Sequence, residues 1–315
     1  MRSQRNSPVP HSADELFPWL FDRLGIDPGA VTASPATRSR RPIVGVSAET
    51  PQKLWELFRI IDVVVAYQAA INRGRVQRGR RPLPFAALDL SAGCLAYLNP
   101  SDSAGQPLVG SPGQLLEALI RHNVGYQLAL FEQNDQVLEL LHRHLSTSLQ
   151  HLGSNGRQVS VLEGSYGQLA KPWIEQHIWP GMPGLMVIDV NDVFDSPALR
   201  TIAQCPELNH VDIALHLPVA MSKWPKRRVP PATVDEVQSA FGKQYWQFAN
   251  PRGKYQWMWW YGTNNPKMRV LAERAFVDED SQAGQARRDR VVATRAKWNQ
   301  RGQLSFDDAF GVTDA

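Results

Sequence analysis

The chain has 315 residues, 43% hydrophobic and 20% charged, with a formal net charge of +4. That is enough apolar material to bury a sizeable core, and no apolar run reaches the roughly 18 residues of a membrane span. Its start, MRSQRNSPVPHSADE, lacks the apolar centre of a secretory signal. Cys94 and Cys205 are its two cysteines, outside any Cys-x-x-Cys or Cys/His cluster, which excludes a zinc-ligand pattern and a disulfide framework. A reducing cytoplasm is the expected location, with no membrane partner.

Residues 1–45 read as a flexible Ser/Pro/Arg-rich arm around a short docking helix, Glu15–Leu24. From Thr50 the apolar residues Leu54, Leu57, Phe58, Ile61, Val64 and Val65 recur at helical spacing, which predicts a long packing helix capped by Thr50 and stopped at Gly74. Just beyond, residues 72–81 (NRGRVQRGRR) hold Arg73, Arg75, Arg78, Arg80 and Arg81 and no acid. Further basic groups recur at Arg38–Arg41, Lys223–Arg228 and Arg287–Arg301. Any one cluster serves as a solvated loop; together they suit a polyanion, and nucleic acid is the expected partner.

From Phe85 strands and helices alternate. The expected strands are FAALDL (85–90), QLALFE (127–132), QVSVLEG (158–164), GLMVIDV (184–190) and VDIALHL (211–217). The expected helices are Pro112–His122, Asp135–Leu152, Gly167–His177 and Ser196–Gln204. Short strands that are apolar almost throughout belong in a parallel sheet buried on both faces. The fold class is therefore α/β, doubly wound and Rossmann-like. Residues 243–266 then read as an antiparallel hairpin turning at Asn250–Gly253, its aromatics packing the core rather than stacking bases. The α/β domain is placed at 46–272, and 273–315 reads as a basic, partly helical or disordered tail.

The first strand ends in Asp89, followed by Leu-Ser-Ala-Gly, a small-residue turn that lets backbone N–H groups approach a ligand. The second ends in Glu132, placed to accept hydrogen bonds from the hydroxyls of an adenosine ribose. The two acids stand 43 positions apart, against about 20 in the dinucleotide fingerprint, because the polar stretch Asn99–Gly110 is inserted at the mouth of the site. No G-x-G-x-x-G follows the strand, which disfavours a nicotinamide-dependent oxidoreductase.

The order of these features resembles the three-Cys-motif partner proteins, a bacterial and phage branch of the class I S-adenosylmethionine-dependent methyltransferases. It comprises a helix containing Lys53, then D-x-x-A-G, an insertion closing in Gly110-Ser111-Pro112, and Phe131-Glu132. A later Glu-Gly-Ser (163–165) and Val187-Ile188-Asp189 complete it. The resemblance spans about residues 50–220, and Gly-Ser-Pro is its most diagnostic element. It implies a mostly parallel methyltransferase sheet with a C-terminal antiparallel hairpin. It also implies S-adenosylmethionine held by Asp89, Ser91, Ala92, Gly93, Glu132 and Ser165, and a separate partner protein. Cys94-Leu95 replaces the family's x-Gly, so the Leu95 side chain is expected to crowd the methionine moiety. Ser165 replaces an acid, and Val190 a proline.

Methyl transfer needs an oriented acceptor. Asp189, Asn191 and Asp192 bring polar groups to a central strand's carboxyl end and are the candidate catalytic residues, although the same acidic turn would also serve to cap the next helix. The segment lacks the Pro-Pro-aromatic turn of amino-directed nucleic-acid methyltransferases, and Cys205 precedes its proline, unlike a cytosine-C5 nucleophile. Two readings follow: a methyltransferase acting on or with nucleic acid, and a non-catalytic binding module on the same fold.

Overall fold

A computed structural model describes residues 8–32, 50–99, 105–154, 156, 158–189, 196–217, 234–250, 258–268 and 276–290. Helix α1 (Ala13–Leu24) starts at Ser12, whose side chain accepts the Glu15 N–H, and buries Leu16, Phe17, Leu20, Phe21 and Leu24 at three- and four-residue spacing. Helix α2 (Thr50–Gln77) runs three residues past Gly74. The stop falls at Gly79, which takes φ +69°, while the Gly79 and Arg80 N–H groups bond the Val76 and Arg75 carbonyls. That is a Schellman-type ending, so the second glycine, not the first, terminates the helix.

Strand β1 (Phe85–Asp89) is buried along its whole length. A small antiparallel pair brackets the inserted stretch, β2 (Ala96–Leu98) just before Asn99 and β3 (Pro107–Val109) near its end. Helix α3 (Ser111–Arg121) follows, then β4 (Tyr126–Glu132), α4 (Asp135–His151), β5 (Val159–Glu163), α5 (Tyr166–His177) and β6 (Gly184–Asp189). Next come α6 (Ser196–Ala203), β7 (Val211–Leu217), α7 (Val234–Phe241), β8 (Tyr245–Phe248), β9 (Met258–Thr263) and β10 (Val277–Asp278). Every expected strand and helix between 85 and 217 is present, with ends shifted by a residue or so.

Among the described residues eight strands form the main sheet, in the order β5-β4-β1-β6-β7-β9-β8-β10. From β5 to β7 neighbours are parallel, whereas β9 runs antiparallel between β7 and β8. This is a doubly wound, Rossmann-like sheet: mostly parallel, with the last hairpin strand inserted in reverse. Trp259, Trp260 and Tyr261 on β9 are fully buried, so the aromatic hairpin is core. The turn at 251–253 lies outside the described residues. Beyond position 272, β10 adds an edge strand to the same sheet. Among the described residues no helix is long and apolar enough to cross a membrane.

Helix α1 is fixed by charge as well as apolar contact. Glu117, inaccessible on α3, receives Arg23 of α1 (3.2 Å) and Arg121 (2.9 Å). Arg121 also reaches Asp62 of α2 (2.9 Å), which pairs with His122 (2.8 Å), and both guanidiniums lie over the Trp19 ring. Replacing Arg121 by Met takes one of two cations from the inaccessible Glu117 and the guanidinium from Asp62. Urea unfolding is expected to show a loss of about 3 kcal/mol or more, whereas Arg143→Met, which breaks the exposed pair with Glu139, should change stability by less than about 0.5 kcal/mol.

Candidate functional site

Between β1 and β6 the winding of the sheet reverses, the point at which doubly wound sheets form a crevice at the carboxyl ends of their strands. Strands β1, β4, β6 and β7 end there in or near Asp89, Glu132, Asp189 and His216. The turn after β1 is bonded to both neighbours. The Ser91 hydroxyl donates to the Asp189 carbonyl (2.8 Å), the Ala92 N–H to the Phe131 carbonyl (3.0 Å), and the Gly93 N–H to Glu132 Oε2 (2.9 Å). Gly93 sits at φ +61°, a conformation that favours glycine. The turn's N–H groups are thus spent within the protein, contrary to the expectation that they face a ligand.

Leu95 departs from expectation as well. It is fully buried, and its Cδ2 lies 3.2 Å from where a Cβ on Gly113 would stand, with Leu24 and Val109 beside it. The side chain packs into the core against α3 and α1. Cys94 likewise packs against Val137, Leu140 and Tyr97. Gly110 permits the close approach behind this turn, since a Cβ there would meet the Cys94 carbonyl at 2.7 Å.

Asp89 is completely inaccessible. Its Oδ1 accepts the Ser91 N–H (3.2 Å), and the Ser111 hydroxyl also acts on the carboxyl. Burial pushes its carboxyl up to about 7, against the opposing Ser111 hydroxyl and Ser91 N–H, and the charges of Asp189 and Glu132 push the same way. Glu132 accepts Gly93 N–H on Oε2, and Gln133 and Asn134 N–H on Oε1. A carboxylate offers about four acceptor directions, so one remains for a hydroxyl. Ser165 caps α5 by accepting the Gly167 N–H (3.3 Å).

A cluster that sequence spacing does not reveal adjoins these acids. Lys53 Nζ of α2 lies 3.1 Å and 2.8 Å from the two Asp189 oxygens, and His216 Nδ1 of β7 lies 2.9 Å from Oδ1. Trp259 packs on the His216 ring at 4.9 Å and donates its indole N–H to the Lys53 carbonyl (2.9 Å). Burial alone would raise Asp189, but Lys53 and His216 hold it well below the usual carboxylate range. Burial, then the Lys53 charge, lowers His216 to about 4, so the imidazole is neutral at pH 7. Tyr97, from the inserted hairpin, belongs to the same neighbourhood. Burial raises its phenol, and Asp189 and Cys94 raise it further. Asn191 and Asp192 lie outside the described residues. Among the described residues no cluster of His, Cys, Asp and Glu is arranged to hold a metal ion.

The arginine cluster is elsewhere. Arg73, Arg78, Arg80 and Arg81 are exposed around the end of α2, and Arg75 Nε donates to the Arg81 carbonyl (2.9 Å). This segment leads into the start of β1, so it occupies the amino edge of the sheet. The five-residue strand β1 spans roughly 17 Å between that edge and the crevice.

No family model and no curated protein matches the chain. Solved structures with some likeness include a protein of Legionella pneumophila str. Philadelphia 1, at 12% identity over 68% of this chain and 91% of that one, TM-score 0.42. Spermidine synthase from Thermotoga maritima shows 10% identity over 58% of this chain and 54% of its own, TM-score 0.33. The human methyltransferase 10 domain containing protein shows 9% identity over 71% and 85%, TM-score 0.37. The chain spans about half the length of the spermidine synthase.

The raised Asp89 has a consequence for stability. Between about pH 4 and pH 7 the folded state holds a proton on Asp89 that the unfolded chain has lost. Its contribution is therefore complete below the unfolded value and disappears as pH rises through about 7, at about 1.4 kcal/mol per pH unit. Asp89→Asn, neutral at every pH, should remove this slope when calorimetric unfolding is compared at pH 5 and pH 7.

Proposed function

We propose that this protein is an S-adenosylmethionine-dependent methyltransferase acting on or with nucleic acid, in the bacterial or phage setting that its motifs resemble. The observation that carries the reading is the convergence of Asp89, Glu132 and the Lys53–Asp189 pair at one crevice, on a sheet of methyltransferase topology. The residues fit the cofactor. The remaining acceptor direction of Glu132 suits a ribose hydroxyl, Asp89 braces the turn beneath the cofactor from inside the protein, and Ser165 stands at the next strand tip for the adenine. When bound, S-adenosylmethionine supplies an electrophilic methyl group. The protein's part is to hold the acceptor in line and keep its reacting atom oriented.

A second reading, a non-catalytic binding module on the same fold, draws support from the turn after β1, whose N–H groups already have partners within the protein. Titration calorimetry with S-adenosylmethionine and S-adenosylhomocysteine separates the two. Saturable binding that weakens by about 10-fold or more in Glu132→Ala, the cost of a charged hydrogen bond, supports the enzyme. Silence up to millimolar ligand favours the scaffold.

The arginine-rich amino edge supports the nucleic-acid part of the proposal. Retention on heparin and on DNA should weaken steeply with salt, by nearly one logarithmic slope unit per phosphate contact. Replacing Arg73, Arg75, Arg78, Arg80 and Arg81 together by Gln should flatten that dependence. An unchanged elution position would place the contact surface elsewhere.

A further inference from the structure

We infer that the Lys53–Asp189 pair seats a hydroxyl oxygen as the methyl acceptor, and that in a nucleic acid this oxygen is the ribose 2′-hydroxyl of RNA. The inference rests on the methyltransferase reading above and concerns which acceptor that site takes.

Counting hydrogen-bonding directions at the pair leads to this acceptor. The Lys53 ammonium has three N–H groups; it donates to Asp189 Oδ1 (3.1 Å) and lies 2.8 Å from Oδ2, so Asp189 engages at most two of them. Among the described residues at least one donor is left for a ligand. Of the four acceptor directions of the Asp189 carboxylate, Lys53 and His216 approach Oδ1 and Lys53 approaches Oδ2, so among the described residues at least one acceptor is left on Oδ2. The pair therefore presents one donor and one acceptor side by side, both about one-eighth exposed at the crevice.

A hydroxyl is the complement of such a pair. Its hydrogen donates to Asp189 Oδ2, one oxygen lone pair accepts from Lys53, and the second lone pair stays available for bond formation. An amino nitrogen has a single lone pair, so donation from Lys53 would consume the electrons that must attack. A carbon acceptor has no use for either partner. Chemically the step balances: the acceptor oxygen forms the O–CH3 bond with its free pair, and the S–CH3 bond breaks with its electrons left on sulfur. The O–H electrons stay on oxygen as the proton passes to water. Asp189, held ionised by Lys53 and His216, orients that proton rather than keeping it. Absence of the Pro-Pro-aromatic turn and burial of Cys205 agree with an oxygen acceptor. Among nucleic acids, internal nucleotides carry a free hydroxyl in RNA alone.

The experiment incubates the full chain with total bacterial RNA and methyl-tritiated S-adenosylmethionine, then digests the RNA to nucleosides and separates them. Label in 2′-O-methyl nucleosides is expected, falling by about 100-fold or more in Lys53→Met, while S-adenosylhomocysteine binding by calorimetry stays unchanged. Retained binding also shows that the variant is folded. A readout independent of turnover is the His216 ring titration followed by NMR, which should move above its value of about 4 when Lys53 is replaced by Met. Base-methylated nucleosides, no labelled RNA despite cofactor binding, or an unmoved His216 titration would each overturn the inference while leaving the methyltransferase reading in place. Absence of S-adenosylhomocysteine binding by the wild type removes that reading, and the inference with it.

Discussion

Asp89 and Asp189 end adjacent parallel strands at the point where the winding of the sheet reverses, and each carries a carboxyl group into a region with little water. Burial disfavours the charged form of each, and the carboxyl edge meets that cost in two ways. Lys53 neutralises Asp189, with His216 on the other side, whereas Asp89 answers by taking up a proton near neutral pH. Ser91 then ties the Asp189 carbonyl back to the turn after β1. The arrangement keeps one carboxylate charged and leaves the other poised, two roles that only their surroundings distinguish.

That division was half legible in the sequence. The strand tips could be found because buried parallel strands are continuous apolar runs, and a lone acid ending such a run stands out, as Asp89, Glu132 and Asp189 do. Lys53 could be noticed only through the resemblance, since its partner lies 136 positions away. His216 has no spacing signal at all, as its partner comes from a neighbouring strand. Tyr97, just ahead of the polar stretch Asn99–Gly110, went unnoticed because two three-residue strands leave too short a pattern for period-2 alternation to show. Leu95 was misread because a turn position says nothing about which way a side chain leaves it. Packing space beside Gly113 decided that.

The two basic and acidic centres occupy opposite edges of one sheet, and the rigidity between them is high. Five fully buried residues of β1 connect the arginine-rich turn to Asp89, paired on both sides by parallel strands. On the α1 side, a second set of buried charges, Arg23, Glu117, Arg121 and Asp62, locks the helices that brace the inserted hairpin. Charge is thus paired twice in the interior, each time with a counter-ion supplied by a different element of the chain.

The indole of Trp259 holds the backbone of Lys53 across 206 positions of sequence. Strand β9, which carries that indole, slots between two strands made before it. During synthesis, at about 5–20 residues per second, the parallel half of the sheet is complete well before this wedge arrives. A nascent chain halted short of residue 258 would possess the crevice but lack the strand that clamps Lys53 over Asp189. The order of translation therefore withholds this clamp until the last strand of the hairpin has been delivered.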